Sequence, residues 1–271
     1  MDEIERRLKF AKTAAIEAGR LGRSYFARIE ELTIISKGHQ DMVSEADRNL
    51  ETYLREAITA SFPDDGIVGE EHGTAGGTSE YTWVLDPIDG TANFVNGIPA
   101  WCVVVACVTR DETVVGVIHD PNAGETFWSA KGQGAFLNDR PIRTSPSRAL
   151  SSGSVGVGIS NRTSSRPTAA LIGMLLEEGG LYFRNASGAL MLAYVAAGRL
   201  IAYCEEHMNA WDCVAGLLLV REAGGITNTI PMEKMLRHGG RVVAATPAIY
   251  PLLERLTDRA FGPGASTNWL K

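Results

Sequence analysis

The stretch Trp83-Val84-Leu85-Asp86-Pro87-Ile88-Asp89-Gly90-Thr91-Ala92-Asn93-Phe94 puts two acids around a proline at the end of an apolar run. Pro87 fixes its own φ and disfavours helix at Asp86, so the run reads as a strand that stops and turns there. Gly90 can take backbone angles closed to other residues. Such a turn can aim both carboxylates and the Ile88 carbonyl into one small volume, and convergent oxygens suit a hard cation such as Mg2+. A helix starting at Gly90 brings free N–H groups to the same volume, and a helix start is an anion site. A cation beside an anion site suits a phosphate. Taken alone, the stretch is more often a plain turn, because Asp, Pro and Gly are common turn formers.

Further acids stand at the ends of other elements. Glu70 and Glu71 follow the apolar pair Ile67-Val68, Asp212 opens the apolar stretch AWDCVAGLLL, and Asp47 lies in the first turn after Ser44. Each has an ordinary explanation. Asp212 complements a helix dipole. Ser44-x-x-Asp47 resembles a capping box with Asp in the acidic place. Glu70 and Glu71 read as loop charges.

The elements that must position these acids are legible in outline. Ile4, Leu8, Ala11, Ala15, Ala18 and Phe26 form the stripe of an amphipathic helix. A second helix starts near Ser44, with Leu50, Leu54, Ala57 and Ile58 on its inner face, and FPDDG ends it. HGTAGGTSE reads as a mobile loop. From Trp101, WCVVVACV, TVVGVI and ETFWSA read as strands joined by hairpin turns. Helices are expected near 166–178, 188–198, 211–223 and 247–260, and strands near 154–159, 200–204, 226–229 and 241–245. Gly224-Gly225 suits a helix stop. The expectation is a layered α/β fold in one domain over 1–271, with two lobes meeting near the polar, turn-rich 140–152.

A chain of 271 residues with 45% hydrophobic residues buries enough surface to fold without disulfides. Its net charge of −6 disfavours nonspecific nucleic-acid or anionic-membrane binding. Cys102, Cys107, Cys204 and Cys213 contain no C-x-x-C pair and read as reduced, buried thiols of a cytoplasmic protein. MDEIERRLKF lacks the apolar core of a signal peptide, and no apolar run approaches the ~20 residues of a membrane span.

Together these motifs resemble the inositol monophosphatase family, Mg-dependent and lithium-sensitive phosphatases. The family pattern D-P-[IL]-D-G-[ST]-x-N-F stands here as Asp86 to Phe94, the upstream Gly-Glu-Glu as Gly69-Glu70-Glu71, and W-D-x-[AV]-[AG]-G as Trp211 to Gly216. Order and spacing agree over nearly the whole chain. GSVGVG near 153 and KGQG near 131 lack a full dinucleotide fingerprint.

The resemblance implies alternating αβαβα layers of the sugar-phosphatase type. It implies metal ligation by Glu70, Asp86, Asp89, Asp212 and the Ile88 carbonyl, for two or three Mg2+ per site. Thr91, supported by Asp47, is implied to position the attacking water, with Glu70 grouped as catalytic. Asp89, Gly90, Thr91, Gly188, Glu205 and Asp212 are implied to contact substrate, Lys37 is a fainter candidate, and a homodimer is expected. One departure stands out: G-[ST]-A-A-L in many members is Ala186-Ser187-Gly188-Ala189-Leu190 here. The physical case agrees, since five or six clustered carboxylates cannot all stay ionised in a partly buried site without cations. His207 and His119 are possible bases, though a lone His is more often a packing or surface residue. The expected function is hydrolysis of inositol monophosphate or a similar small polyol phosphate. One rival is the same chemistry on histidinol phosphate, fructose 1,6-bisphosphate or adenosine 3',5'-bisphosphate. Another, of a different class, is a non-catalytic regulatory protein that keeps the fold.

Overall fold

The computed structural model describes residues 2–32, 34–38, 41–160 and 162–263; for 34–38 and 41–43 it describes the backbone alone. Helix α1 (Glu3–Phe26) starts at Asp2, whose carboxylate accepts the Glu5 N–H at 2.8 Å. It buries Leu8, Ala11, Ala15 and Ala18, the stripe its spacing predicts. A hairpin of β1 (Ile34–Gly38) and β2 (Asp41–Ser44) leads into α2 (Glu45–Ser61).

Then come β3 (Gly66–Gly69), β4 (Gly73–Ala75), β5 (Thr82–Asp89) and the short helix α3 (Thr91–Val95). Strands β6 (Cys102–Val108), β7 (Thr113–Asp120), β8 (Glu125–Ala130), β9 (Ala135–Leu137) and β10 (Arg140–Ile142) complete an eight-stranded sheet in the order β10-β9-β8-β7-β6-β5-β3-β4. The remainder runs β11 (Ser154–Val157), α4 (Ser165–Glu177), β12 (Leu181–Phe183), α5 (Gly188–Ala196) and β13 (Ala202–Met208). It ends with α6 (Ala210–Glu222), β14 (Ile226–Thr227), α7 (Met232–His238), β15 (Gly240–Ala245) and α8 (Tyr250–Phe261). Its strands form a second sheet in the order β12-β11-β13-β15-β14.

Three apolar clusters bind the elements into αβαβα layers. Helices α1 and α2 cover one face of the large sheet, α5 and α6 lie between the sheets, and α4 and α8 cover the far face of the small one. Strand β6 shows why its sequence is an unbroken apolar run: Val103, Val105 and Cys107 face the first cluster, while Cys102, Val104, Ala106 and Val108 face the α5–α6 layer. In β15, Val242 and Ala244 likewise face inward, and Val243 and Ala245 face α4 and α8. No helix among the described residues is long and apolar enough to cross a membrane.

The structure departs from the sequence expectation at the sheet margins. HGTAGGTSE is not a free loop throughout, because Gly73–Ala75 pairs antiparallel with β3. Strands β9, β10 and β12 and helix α7 were not expected. All are short, and β4 and β12 are exposed along their whole length, so no apolar period marks them.

Candidate active site

Strands β3 and β5 are parallel and in register, Gly69 opposite Leu85, so both chains leave the sheet at the same side. Glu70 follows one strand, and Asp86 follows Leu85 in the other. Strand β5 bulges against β6 here: Asp86 pairs with Val104 and Asp89 with Cys102, so three steps on one strand match two on the other. A bulge re-aims the side chains around it. The Ile88 N–H donates to Asp86 Oδ1 at 3.0 Å, closing the turn around Pro87. Gly90 has φ +98°, and a Cβ there would lie 2.9 Å from the Ala100 carbonyl oxygen, so the motif glycine is needed for both angle and space.

Two helix starts meet this turn. Asp89 Oδ2 accepts the Ser187 hydroxyl at 2.5 Å and the Ala189 N–H at 2.8 Å, at the start of α5. Asp212, in the first turn of α6, accepts the Asn209 N–H through Oδ2 at 2.9 Å and the Asn209 side-chain amide at 3.2 Å. Glu70, Asp86 and Asp212 each present an oxygen within 4.8 Å of the other two. Asp89 stands outside that triangle, with one oxygen committed to α5. The Ser44–Asp47 capping box is present: Asp47 Oδ2 accepts the Ser44 N–H at 2.8 Å and its hydroxyl at 2.6 Å. Asp47 Oδ1 is left for Thr91, whose hydroxyl lies 3.2 Å from it and 3.1 Å from the Ile88 carbonyl.

The electrostatics follow from burial. Asp86 is held well above the usual carboxylate range, first by burial and then by repulsion from Glu70, Asp89 and Asp212. Asp212 is raised by burial and by Asp89, with the Asn209 N–H opposing. Burial also raises Asp89, while the Ser187 hydroxyl and Ala189 N–H pull it back. Asp47 is pushed up to about 6 by burial, against the Ser44 hydrogen bonds. A pocket of oxygen donors that repel one another fits a small hard cation and offers nothing to a soft one.

A cleft of about 750 Å3 opens over this floor, lined by Glu70, Thr91, Asn93, Arg184, Glu205 and Asp212 among others. A smaller hollow of about 160 Å3 adjoins it, with Asp89, Gly188, Glu205 and Met208 in its wall. Glu205 is half-buried on β13, accepts the Tyr203 hydroxyl at 2.5 Å, and is pushed up to about 8, mainly by burial. Gly188 gives Met208 room, since a Cβ there would meet Met208 Cε at 2.6 Å. Ala186 takes φ +62°, a left-handed angle uncommon without glycine, at the place where the family pattern has its glycine.

The structure thus brings together Asp47, Glu70, Asp86, Ile88, Asp89, Gly90, Thr91, Gly188, Glu205 and Asp212. Lys37 has its side chain outside the described residues. His119 is excluded: it is buried beneath Gly19 of α1, bonded to the Thr126 hydroxyl, and pushed down to about 4 by burial. His207 lines the cleft, with Nε2 2.8 Å from the His238 carbonyl. Glu206, next to Glu205, is half-buried. The sequence reading missed Ser187 and Asn209 as holders of the acids. The signal was there for Ser187, a cap residue directly before the apolar run GALMLAYVA.

A model described as the inositol monophosphatase family matches residues 3–260. The chain belongs to that family. It is 35% identical over 229 residues to the fructose-1,6-bisphosphatase/inositol-1-monophosphatase of Aquifex aeolicus, covering 83% of this chain and 86% of the relative. It is 40% identical over 214 residues to the Nus factor SuhB of Xylella fastidiosa, 78% of each chain. The solved inositol monophosphatase of Anabaena superposes with a TM-score of 0.82 at 31% identity, covering 95% of this chain and 97% of that one. The inositol monophosphatase family is a family of metal-dependent phosphatases, and the layered α/β fold described above is the one its solved members share.

Proposed function

We propose that this chain is a Mg2+-dependent phosphomonoesterase acting on inositol monophosphate or a similar small polyol phosphate. The observation that carries the reading is the triangle of Glu70, Asp86 and Asp212 beside the start of α3. Glu70, Asp86, Asp212, the free oxygen of Asp89 and the Ile88 carbonyl would hold two or three Mg2+. When bound, these cations supply Lewis acidity, acidifying a water and neutralising charge on phosphate and leaving group.

The remaining steps belong to the chain. The first turn of α3 leaves N–H groups without helical partners, and those of Gly90 and Thr91 line the cleft where the phosphate docks. The Thr91 hydroxyl, donating to Asp47, keeps its lone pairs free to orient the attacking water, and Asp47 is the proton's resting place. A water oxygen bonds to phosphorus as one of its protons passes through Thr91 to Asp47. The ester P–O bond breaks, the leaving alkoxide takes a proton from a second water, and Asp47 returns its proton to solvent, so ester and water give phosphate and alcohol. Glu205, Gly188 and the adjoining hollow contact the alcohol. The reading includes one domain, a homodimer and a cytoplasmic setting; a single cooperative melt and light scattering check the first two.

The test is phosphate release from a panel of phosphate esters with Mg2+ and with excess chelator. Turnover that persists in chelator defeats the reading. The relative named Nus factor SuhB supports a second reading, a regulatory role independent of chemistry. An inactive Asp86→Asn variant that still complements loss of the gene would favour it.

A further inference from the structure

We propose that Glu51 is a positioning residue: its buried carboxylate sets the backbone after β3 and so fixes where Glu70 presents its ligand oxygen. The proposal rests on the metal reading above. Glu51 lies on α2 with no exposed surface. Its Oε2 accepts the Glu71 N–H at 2.7 Å, and its Oε1 accepts the His72 N–H at 3.1 Å and Arg55 Nε at 2.7 Å. Arg55 also bonds the Gly73 carbonyl, so one ion pair on the helix grips the turn from Glu71 to Gly73.

Gly69 explains itself through the same contact. A Cβ at Gly69 would lie 2.1 Å from Glu51 Oε1 and 2.5 Å from Cδ. The first residue of Gly-Glu-Glu is therefore glycine because the Glu51 carboxylate occupies the space a side chain needs. Asp47, Glu51 and Arg55 follow at four-residue spacing on one face of α2. That face reaches Thr91 at one point and the Glu70 turn at the next, so α2 holds the water-orienting group and a ligand at a set separation. A buried carboxylate is poor value for stability alone, because its desolvation offsets most of the attraction to Arg55. Groups that orient a ligand without touching the metal commonly set its affinity within a factor of roughly 10–100.

The experiment uses the full chain and Mn2+ as probe, with free Mn2+ read by electron paramagnetic resonance and folding checked by urea melts. Glu51→Gln cannot accept both N–H groups and pair Arg55, and it is expected to weaken Mn2+ binding about tenfold or more. The metal concentration for half-maximal turnover should rise by the same factor, while the substrate KM at saturating Mn2+ stays put. Gly69→Ala should cause a similar loss, and it should add little in a Glu51→Ala background, where the clash is gone. Folded Glu51→Gln with wild-type Mn2+ affinity overturns the proposal, and so do losses for Gly69→Ala and Glu51→Ala that simply multiply. If Glu51→Gln does not fold, Glu51→Asp decides: it keeps the charge but shortens the reach, and wild-type affinity there also overturns the proposal. A wild-type protein that neither binds Mn2+ nor releases phosphate overturns the functional reading and this proposal together, a distinguishable result.

Discussion

Strands β3 and β5 carry buried acids at both ends, and the two ends solve the same problem differently. At the N-terminal end, Asp65 precedes β3. Its carboxylate receives Arg7 Nε and Nη2 at 3.0 and 2.9 Å, the Trp83 indole N–H at 3.0 Å and the Ser79 hydroxyl at 2.6 Å. Arg7 in turn lies over the Tyr81 ring, 3.7 Å from its centroid. At the C-terminal end, the groups that act on buried Asp86 across space are Glu70, Asp89, Asp212 and Asp47, all acids. A carboxylate kept for structure brings its cation in the same chain. Where the chain supplies more acids in place of a cation, the proposed Mg2+ would balance them, and that would distinguish a site from a strut.

The largest test of this contrast swaps one acid at each end. Asp65→Asn leaves buried Arg7 with only the exposed Glu3 as a charged partner and should cost about 3 kcal/mol in a urea melt, the lower end for breaking a buried pair. Turnover per folded molecule should hold. Asp86→Asn and Asp212→Asn should do the reverse, lowering turnover by at least ~10², the scale of losing a key electrostatic stabiliser. The folded-state pKa of both acids is raised, so ionising them works against folding, and the metal-free variants should be no less stable than wild type. Asp86→Asn destabilising as much as Asp65→Asn would erase the distinction.

Removing metal is the next largest. Chelator should abolish turnover at the C-terminal end without unfolding the N-terminal end. Mg2+ at a hundredfold its Kd should add about 2.7 kcal/mol to the melt of wild type. Asp212→Asn should show much less of this gain, and Asp65→Asn should show all of it.

How much of this was legible in the sequence depends on how local the cause is. Asp86-Pro87-Ile88-Asp89-Gly90 announced a turn because proline and glycine act on their own backbone, but not a strand end at Asp86: β5 only bulges around Pro87 and runs on to Asp89, pairing with Cys102, before Gly90 ends it. Ser44-x-x-Asp47 announced a cap for the same reason. FPDDG read only as a helix stop, although Asp65 within it is the buried partner of Arg7, 58 positions away. Long-range pairs leave no mark on neighbouring residues. Glu51 was invisible likewise: on α2 it looks like any helical glutamate, and only the fold shows the turn it holds.

His119 is shifted mainly by burial, with a smaller push from the charge of Arg20. It is buried on β7 away from the acids, and its pKa falls from 6.5 to about 4 through desolvation. Between those values the unfolded chain binds the proton and the folded chain does not, so stability drops as pH falls through the window. The contribution is at most about 3 kcal/mol, from the shift at 1.36 kcal/mol per unit. Urea midpoints for wild type and His119→Gln from pH 4 to pH 7 check it: the difference between them should grow with pH. A constant difference would mean that burial alone does not perturb this sheet's titratable groups.

Glu205 should give the smallest and most selective effect. It faces the cleft from the small sheet, across from the acids on the large one, and Tyr203 steadies one of its oxygens. Its other oxygen is available to substrate hydroxyls. It lies outside the Glu70–Asp86–Asp212 triangle and on the other sheet, and the proposed function gives it the alcohol and not the metal. Measured above pH 8, where Glu205 is ionised, Glu205→Gln should therefore lower kcat/KM for a polyol phosphate by ~1.5–3 kcal/mol, the range for a hydrogen bond to a charged group. A simple aryl phosphate offers no such hydroxyls and should lose little. The ratio of the two losses is the decisive quantity. The same selective loss should appear in Tyr203→Phe, if that variant frees Glu205 to turn away and costs the polyol substrate alone its advantage over the aryl one. Equal losses on both substrates from Glu205→Gln would move Glu205 from alcohol recognition to the acids that run the reaction, and the contrast between the two sheets would then disappear.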